Sequence, residues 1–245
     1  MPVETIAPGV HIIALGFVNA IVLADDAGPV IVDTGMPDST EKILSGLQEL
    51  GYSAEDVQKI IVTHKHIDHT GSLAALKNAT GAPAVMHAVD AALVRMGESI
   101  RPVKTAPSIF SKFMAVMMRM TPTDLDPVAI EEEVIEGDTL QLAGGIEVLH
   151  TPGHSAGHIS LYLPRDGGIL IAGDAAIHVM GLRHPPVFED MNVGMASLQR
   201  LSSLPFDTAV FMHGKPLHGG AAQRFSDKWG RAARPEPLVS RRTSP

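Results

Sequence analysis

The stretch Thr63-His64-Lys65-His66-Ile67-Asp68-His69-Thr70-Gly71 places four metal-capable side chains within six residues. Imidazoles and a carboxylate crowded this closely would desolvate or repel one another without a compensating cation. A divalent ion supplies that compensation, because neutral imidazole and carboxylate bind zinc at roughly 2.0–2.2 Å. The cluster follows the apolar run Lys59-Ile60-Ile61-Val62 and precedes the helix-compatible Gly71-Ser72-Leu73-Ala74-Ala75-Leu76. Strand, ligand loop and helix are the expected order.

Three more metal-capable residues stand where an apolar run gives way to a loop. They are His154 in Thr151-Pro152-Gly153-His154-Ser155-Ala156-Gly157-His158, Asp174 in Ala172-Gly173-Asp174-Ala175, and His213 in Phe211-Met212-His213-Gly214. Each has a nearby glycine, which lets the backbone come close to a buried ion. Together the four places supply five histidines and two aspartates, a set that suits two metal ions. Cysteine is absent, which excludes disulfides, thiolate–zinc sites and a cysteine nucleophile, and leaves His, Asp and Glu as the strong ligands.

The elements that must position these residues are legible as apolar runs. Val10 to Leu15, Ala20 to Ala24 and Val30 to Val32 read as three strands, with a turn over Asp25-Asp26-Ala27-Gly28-Pro29 and the third strand ending at Asp33. Asp38-Ser39-Thr40 can cap a helix that carries Ile43, Leu44, Leu47 and Leu50 and closes at Gly51. Strand Pro83–Met86 and a helix from Val89 to Gly97 follow. Later strands are expected at Thr139–Leu142, Ile146–Leu149, His158–Leu163, Gly168–Ala172 and Thr208–Met212, with helices at Val193–Leu204 and Gly220–Ala233. Two successive runs of strands and helices fit two sheets packed face to face with helices outside, not strict βαβ alternation. Residues 98–130 interrupt the rhythm: four prolines bracket Ile109 to Met120, a helix apolar on most of its circumference, with a narrow polar face around Ser111, Lys112, Ala115 and Arg119. Such a helix suits a core element, a homodimer contact, or a methionine-rich lid over an apolar pocket, with Phe113, Met114, Met117 and Met118 as candidate substrate contacts.

Composition bounds the class. Of 245 residues, 45% are hydrophobic and 19% charged, as in an ordinary globular protein, and the net charge of −8 argues against nucleic acid as the main partner. No run of about 18 apolar residues suggests a membrane span, and Met1-Pro2-Val3-Glu4 opens no secretion signal. A cytoplasmic protein acting on a small molecule is expected. Residues 1–233 are expected to form one domain, and 234–245, polar and Pro-containing, a disordered tail.

With the four motifs in this order, residues 8–230 resemble the metallo-β-lactamase superfamily. The resemblance implies an α/β (α+β) chain folded as a four-layer αββα sandwich with the site at one edge. Carried over by motif, it implies that His64, His66 and His154 hold one metal, that Asp68, His69 and His213 hold the other, and that Asp174 bridges them. It also implies that Asp33 supports the ligand loop and that His158 is structural. Two zinc ions are the expected cofactors, with iron or manganese fitting either site. Two cations about 3.5–4 Å apart lower the pKa of a shared water toward 7, so a bridging hydroxide would attack a carbonyl that one ion polarises, with Asp68 as proton shuttle.

The departures narrow the branch. Zinc β-lactamases of the superfamily lack the bridging aspartate, so Asp174 points away from that activity. Glyoxalase II-like thioesterases share all seven ligands but add a C-terminal helical region with basic glutathione contacts; this chain has only about thirty residues after His213, with Lys215, Arg224, Lys228 and Arg231 as weak counterparts. Acyl-homoserine lactonases often carry tyrosine three residues after the bridging aspartate, where this chain has Ile177; His178 is the candidate replacement donor. The expected activity is zinc-dependent hydrolysis of an ester, lactone or thioester with an apolar acyl part. The alternatives are a glyoxalase II-like thioesterase and a mononuclear-iron persulfide dioxygenase of the same superfamily.

Overall fold

The structure, a computed structural model, describes residues 3–99, 102–118 and 125–230. Four antiparallel strands open the chain: β1 (Val3–Ala7), β2 (Val10–Ala14), β3 (Asn19–Asp25) and β4 (Gly28–Val32). The β3–β4 turn is fixed by the Asp25 carboxylate, which accepts a hydrogen bond from the Ala27 N–H at 2.9 Å. The chain then alternates through α1 (Thr40–Glu49), β5 (Lys59–Val62), α2 (Ile67–Thr70), α3 (Leu73–Thr80), β6 (Ala84–His87), α4 (Ala88–Val94), β7 (Lys104–Thr105), α5 (Ile109–Met118) and β8 (Glu132–Val134). Strands β4, β5, β6 and β8 pair in parallel, completing a sheet of order β1-β2-β3-β4-β5-β6-β8. Ile60, Ile61 and Val62 are all buried, as expected of a parallel strand covered on both faces.

The second sheet comes from β9 (Thr139–Leu140), β10 (Ile146–His150), β11 (Ile159–Leu163) and β12 (Ile169–Ile171). The short pairs β13 (Ile177–His178) with β14 (Leu182–Arg183), and β15 (Val187–Phe188) with β7, precede α6 (Met191–Leu201), β16 (Thr208–Val210) and α7 (Ala221–Trp229). Its order is β16-β12-β11-β10-β9. Strand period decides the layering. Ile169, Ile171, Val210 and Met212 join the core shared with the first sheet, whereas Leu170, Ala172, Ala209 and Phe211 pack with Leu198 and Leu201 of α6 and Phe225 and Trp229 of α7. On the other side α1 and α3 contribute Ile43, Leu47, Leu73 and Leu76 to the first sheet's core. The result is an αββα sandwich.

Hydrogen bonds stitch the two sheets at one edge. Ile159 N donates to Thr63 O at 2.9 Å and Asn19 N to Met212 O at 2.8 Å, while Asn19 Nδ2 bonds the carbonyls of Phe211 and Gly214. This edge carries the ends of β4, β5, β10, β12 and β16, and so every candidate ligand.

The insert differs from its expected arrangement. In α5 Ser111 is buried, while Ile109, Phe113 and Val116 are 90%, 63% and 58% exposed. The apolar stripe at i, i+4 and i+7 therefore faces outward, and Ser111, expected on the polar face, faces inward. The helix N-terminus is held by Ser108, whose Oγ accepts from Ser111 N at 2.9 Å and donates to Ser111 Oγ at 2.7 Å. The side chains of Met114, Met117 and Met118 lie outside the described part of the structure, as do residues 119–124 and 231–245.

Leu161 is fully buried between the sheets. Leu161→Ala is expected to lower unfolding free energy by about 2–5 kcal/mol in urea titrations. A change below about 0.5 kcal/mol, the range of ordinary surface substitutions, would contradict its placement in the shared core.

Candidate metal centre

His64 and His66 leave the end of β5, and His154 leaves β10 through the Thr151–His158 loop. His66 Nδ1 lies 3.0 Å from His64 Nε2 and 2.9 Å from His154 Nε2, with all three side chains buried. The tautomers follow from their other partners. Thr63 Oγ1 gives its proton to Asp33 Oδ2 at 2.7 Å, so it accepts from His64 Nδ1–H and leaves His64 Nε2 a bare lone pair. His154 Nδ1–H donates to Val187 O at 2.9 Å, with the same consequence for its Nε2. A proton on His66 Nδ1 could satisfy only one of these two lone pairs, and His66 Nε2 is buried without a partner. Three nitrogens aimed at one another fit a cation, and the opposite ring nitrogens of His64 and His154 are anchored as those of metal-ligating imidazoles usually are.

A second group adjoins the first. His69 Nδ1–H donates to Asp33 Oδ2 at 2.7 Å and His213 Nδ1–H to Phe17 O at 2.9 Å, which turns both Nε2 atoms toward Asp68 and Asp174. Asp68 Oδ2 lies 3.5 Å from His69 Nε2 and 3.3 Å from His213 Nε2. Asp174 Oδ2 lies 3.3 Å from His213 Nε2, 3.8 Å from His69 Nε2 and 3.4 Å from His154 Nε2, so it reaches both groups. Asp174 Oδ1 and His69 Nε2 are buried with no hydrogen-bond partner. All seven residues thus fall into overlapping sets whose ligand atoms lie within 4.8 Å of one another.

Electrostatics separates the two groups. Burial, with mutual repulsion among the imidazoles, holds His64 and His66 well below the ordinary histidine value, and burial lowers His154. Burial opposes protonation of His69 and His213 as well, but the nearby carboxylates win. Asp68, Asp33 and Asp174 raise His69, and Asp174 with Asp68 raises His213 to about 10. Burial would raise Asp68 and Asp174, yet the same histidines hold both below the usual carboxylate range. A divalent ion would displace the protons on His69 and His213.

The supports were only partly visible in the sequence. Asp33, at φ +61°, spans Thr63 N (2.7 Å), Thr63 Oγ1 and His69 Nδ1, and so orients a histidine of each group. His158 accepts from Asp174 N at 2.8 Å and donates to Thr151 Oγ1 at 2.8 Å; burial pushes it down to about 3. Gly173, at φ +56°, makes this approach feasible, because a Cβ there would sit 2.6 Å from His158 Nε2. Sequence reading missed Asn19, Asp90 and Glu189. All three act through buried bonds to loop backbone, a role that leaves no motif.

The remaining histidines near these loops, and the two tyrosines, fall outside the three ligand sets. His150 stacks on His87 with ring centroids 4.1 Å apart, and His184 Nδ1 pairs with Pro185 O. His178 adjoins His213 through the bond from its N–H to His213 O, and its Nδ1–H donates to Lys215 O at 2.8 Å. A neutral His178 therefore offers Nε2 as an acceptor; donating to a substrate oxygen would require a second proton. Tyr162 bonds Pro205 O and Tyr52 packs against the shared core.

The sequence model of the metallo-beta-lactamase superfamily matches residues 13–213. The chain belongs to the metallo-beta-lactamase superfamily. Within it, the chain is 26% identical over 231 residues to the Bacillus subtilis (strain 168) protein named "Probable metallo-hydrolase YflN", covering 87% of this chain and 86% of that one. It is 27% identical over 214 residues to an N-acyl homoserine lactonase of Bacillus thuringiensis subsp. kurstaki, with 74% of each covered. It is 30% identical over 196 residues to a hydroxyacylglutathione hydrolase of Cereibacter sphaeroides, covering 78% of this chain and 60% of that protein. Among solved structures, a metallo-beta-lactamase of Novosphingobium pentaromativorans superposes with TM-score 0.70 at 24% identity, covering 94% of this chain and 87% of that one. A beta-lactamase of Chitinophaga pinensis gives 0.69 at 24%, covering 94% and 91%. These structural likenesses establish the fold. The superfamily's fold implies divalent-metal binding, and the clusters here are suited to it.

Asp33→Asn keeps a residue type tolerated at positive φ but weakens the acceptor for three buried donors. It is expected to cost about 1.5–3 kcal/mol in unfolding of the metal-free protein and about 10–100-fold in metal affinity, measured by urea titration and chelator competition. Unchanged values in both would remove Asp33 from the support.

The metal-free protein also has a definite pH signature. Below the ordinary value of 6.5, unfolded His64, His66, His154 and His158 take up protons that the folded chain refuses, so stability falls on acidification. His69 and His213 act in the opposite sense. Their contribution is complete below 6.5 and is lost as pH rises toward their folded values, about 10 for His213. Metal-free stability is therefore expected to peak near pH 6.5; a steady rise from there to pH 9 in urea titrations would contradict these environments.

Proposed function

We propose that this chain is a dinuclear metal hydrolase, with zinc the favoured ion, that cleaves an ester, lactone or thioester with an apolar acyl part. The observation that carries the reading is Asp174, whose Oδ2 lies within 3.4 Å of His154 in one group and within 3.3 Å of His213 in the other. A carboxylate so placed suits a bridge between two ions. His64, His66 and His154 would hold one ion, Asp68, His69 and His213 the other. Two divalent ions there would supply a water activated near neutral pH and a Lewis acid for the substrate carbonyl.

The chain's own residues supply positioning and proton transfer. Asp33, Val187 O and Phe17 O anchor the far ring nitrogens, which leaves Nε2 of His64 and His154 bare and turns Nε2 of His69 and His213 toward the carboxylates, where an ion would displace their protons. Asp68 is 21% exposed against 6% for Asp174, so it is the carboxylate of the pair that can exchange a proton with solvent. We assign Asp68 as the proton shuttle and Asp174 as the bridging group. His178, beside His213, is proposed to contact the polar part of the substrate, and Phe113, Met114, Met117 and Met118 of the insert its acyl part. The names borne by relatives, a homoserine lactonase and a hydroxyacylglutathione hydrolase, support lactone and thioester as the bonds to test.

The test is hydrolysis of p-nitrophenyl esters, acyl lactones and acyl thioesters by zinc-loaded protein, with metal content measured on the same sample. Turnover of at least one class, abolished by chelation and restored by zinc without oxygen uptake, is expected. One iron per chain with oxygen consumption would instead favour the dioxygenase. Asp174→Ala is expected to retain the fold, lose one ion and lose most turnover. Unaltered kinetics in that variant would remove Asp174 from the site.

A further inference from the structure

Lys65 stands between His64 and His66, and its side chain is fully buried. A buried ammonium must be paired. Its Nζ bonds Glu189 Oε1 and lies 3.8 Å from Asp90 Oδ1. Both carboxylates are also tied to the loop that carries His154. Glu189 Oε2 accepts from Ala156 N at 2.8 Å. Asp90 Oδ2 accepts from Ser155 Oγ at 2.5 Å and from Lys65 N at 3.1 Å, and Asp90 Oδ1 accepts from Gly157 N at 2.9 Å. The neighbouring backbone closes the ring: Glu189 N donates to His154 O at 3.2 Å, and Asp190 N to Gly153 O at 3.0 Å. Two residues upstream, Val187 O receives the proton that fixes the His154 tautomer.

The ammonium thus links the loop bearing His64 and His66 directly to Asp90 of α4 and to the 187–190 strap that orients His154, and through these two carboxylates to the loop bearing His154. We propose that Lys65 is a positioning residue, whose ion pairs with Glu189 and Asp90 hold His154 at the distance from His64 and His66 that metal binding requires. The inference rests on the dinuclear reading above. The sequence separations make the tie informative, because Lys65 and Glu189 are 124 residues apart and Asp90 and Gly157 are 67 apart. Nothing in the chain's local preferences brings the loops to this register. Gly157 is fitted to the same contact, since a Cβ there would lie 2.6 Å from Asp90 N.

The test uses full-length protein with zinc and with cobalt as a spectroscopic substitute. Lys65→Met keeps the apolar stem and removes the charge. Lys65→Met/Glu189→Gln removes both partners of the tighter pair, and keeps the question answerable should the single variant fail to fold. In the folded variant, one step of the two-step zinc titration is expected to weaken by about 10–100-fold while the other holds. The visible bands of the cobalt-loaded protein are expected to change together with the weakened step. A folded double variant with both zinc affinities and the cobalt bands at wild-type values would reduce Lys65 to a stabilising ion pair and overturn the proposal. Wild-type protein that binds no metal would overturn the dinuclear reading and this inference together.

Discussion

At the edge where the two sheets meet, His66 Nδ1 lies 3.0 Å from His64 Nε2 and 2.9 Å from His154 Nε2, with too few protons among the three to pair every lone pair. Beside them, Asp68 and Asp174 share His69 and His213 in a mostly buried space that reaches solvent at Asp68 and His213. Buried polar atoms left unpaired are destabilising, and buried charges more so. A chain that nevertheless gathers seven such groups, and fixes the remote ring nitrogens of His64, His69, His154 and His213 with hydrogen bonds, has a structure whose logic is completed by cations. Protonation compensates only in part: the carboxylates favour the charged form of His69 and His213, burial disfavours it at His64 and His66, and His66 Nε2 and Asp174 Oδ1 still lack partners.

The sandwich supplies the rigidity that such convergence needs. Strand ends are firm platforms because each strand is bonded to neighbours and backed by core on at least one face, whereas a free loop would spread the ligands. Here the loops are short and pinned at several points. Ile159 N reaches across to Thr63 O, Thr34 holds His69 O through both its N–H and its hydroxyl, and Gly153 packs so closely on α6 that a Cβ would sit 2.2 Å from Gly194 Cα. The polar supports of the two groups converge on a few residues, Asp33 beneath His64 and His69 and Asp90 with Glu189 beneath His154. The site is therefore braced from below by groups that touch no ligand-binding face.

Much of this was legible in the sequence, and the reason is physical. His64, His66, Asp68 and His69 come from one strand end, so their spacing is local and visible; His154, Asp174 and His213 each follow an apolar run that announces its strand. The runs Ile169–Ala172 and Thr208–Met212 are apolar almost throughout, as strands covered on both faces are. The supports were harder. Asp33 could be suspected only from resemblance, and Asp90, Glu189 and Asn19 are single polar residues whose meaning lies in partners far along the chain. Short strands such as β7, β13, β14 and β15 carry too few residues for a pattern. Strand β1 escaped notice because Val3–Ala7 is only partly buried at the sheet's margin. In α5 apolar content suggested burial, but burial depends on a neighbour to pack against, and Ile109, Phe113 and Val116 face outward.

The central claim is that side chains from both sheets hold a pair of ions with Asp174 between them. Anomalous diffraction from a crystal of zinc-loaded protein tests it most directly. The expected result is two peaks about 3.5–4 Å apart, one against His64, His66 and His154, the other against Asp68, His69 and His213, with the Asp174 carboxylate touching both. A map with no peak at these residues, or with a single ion that Asp174 does not approach, would contradict it.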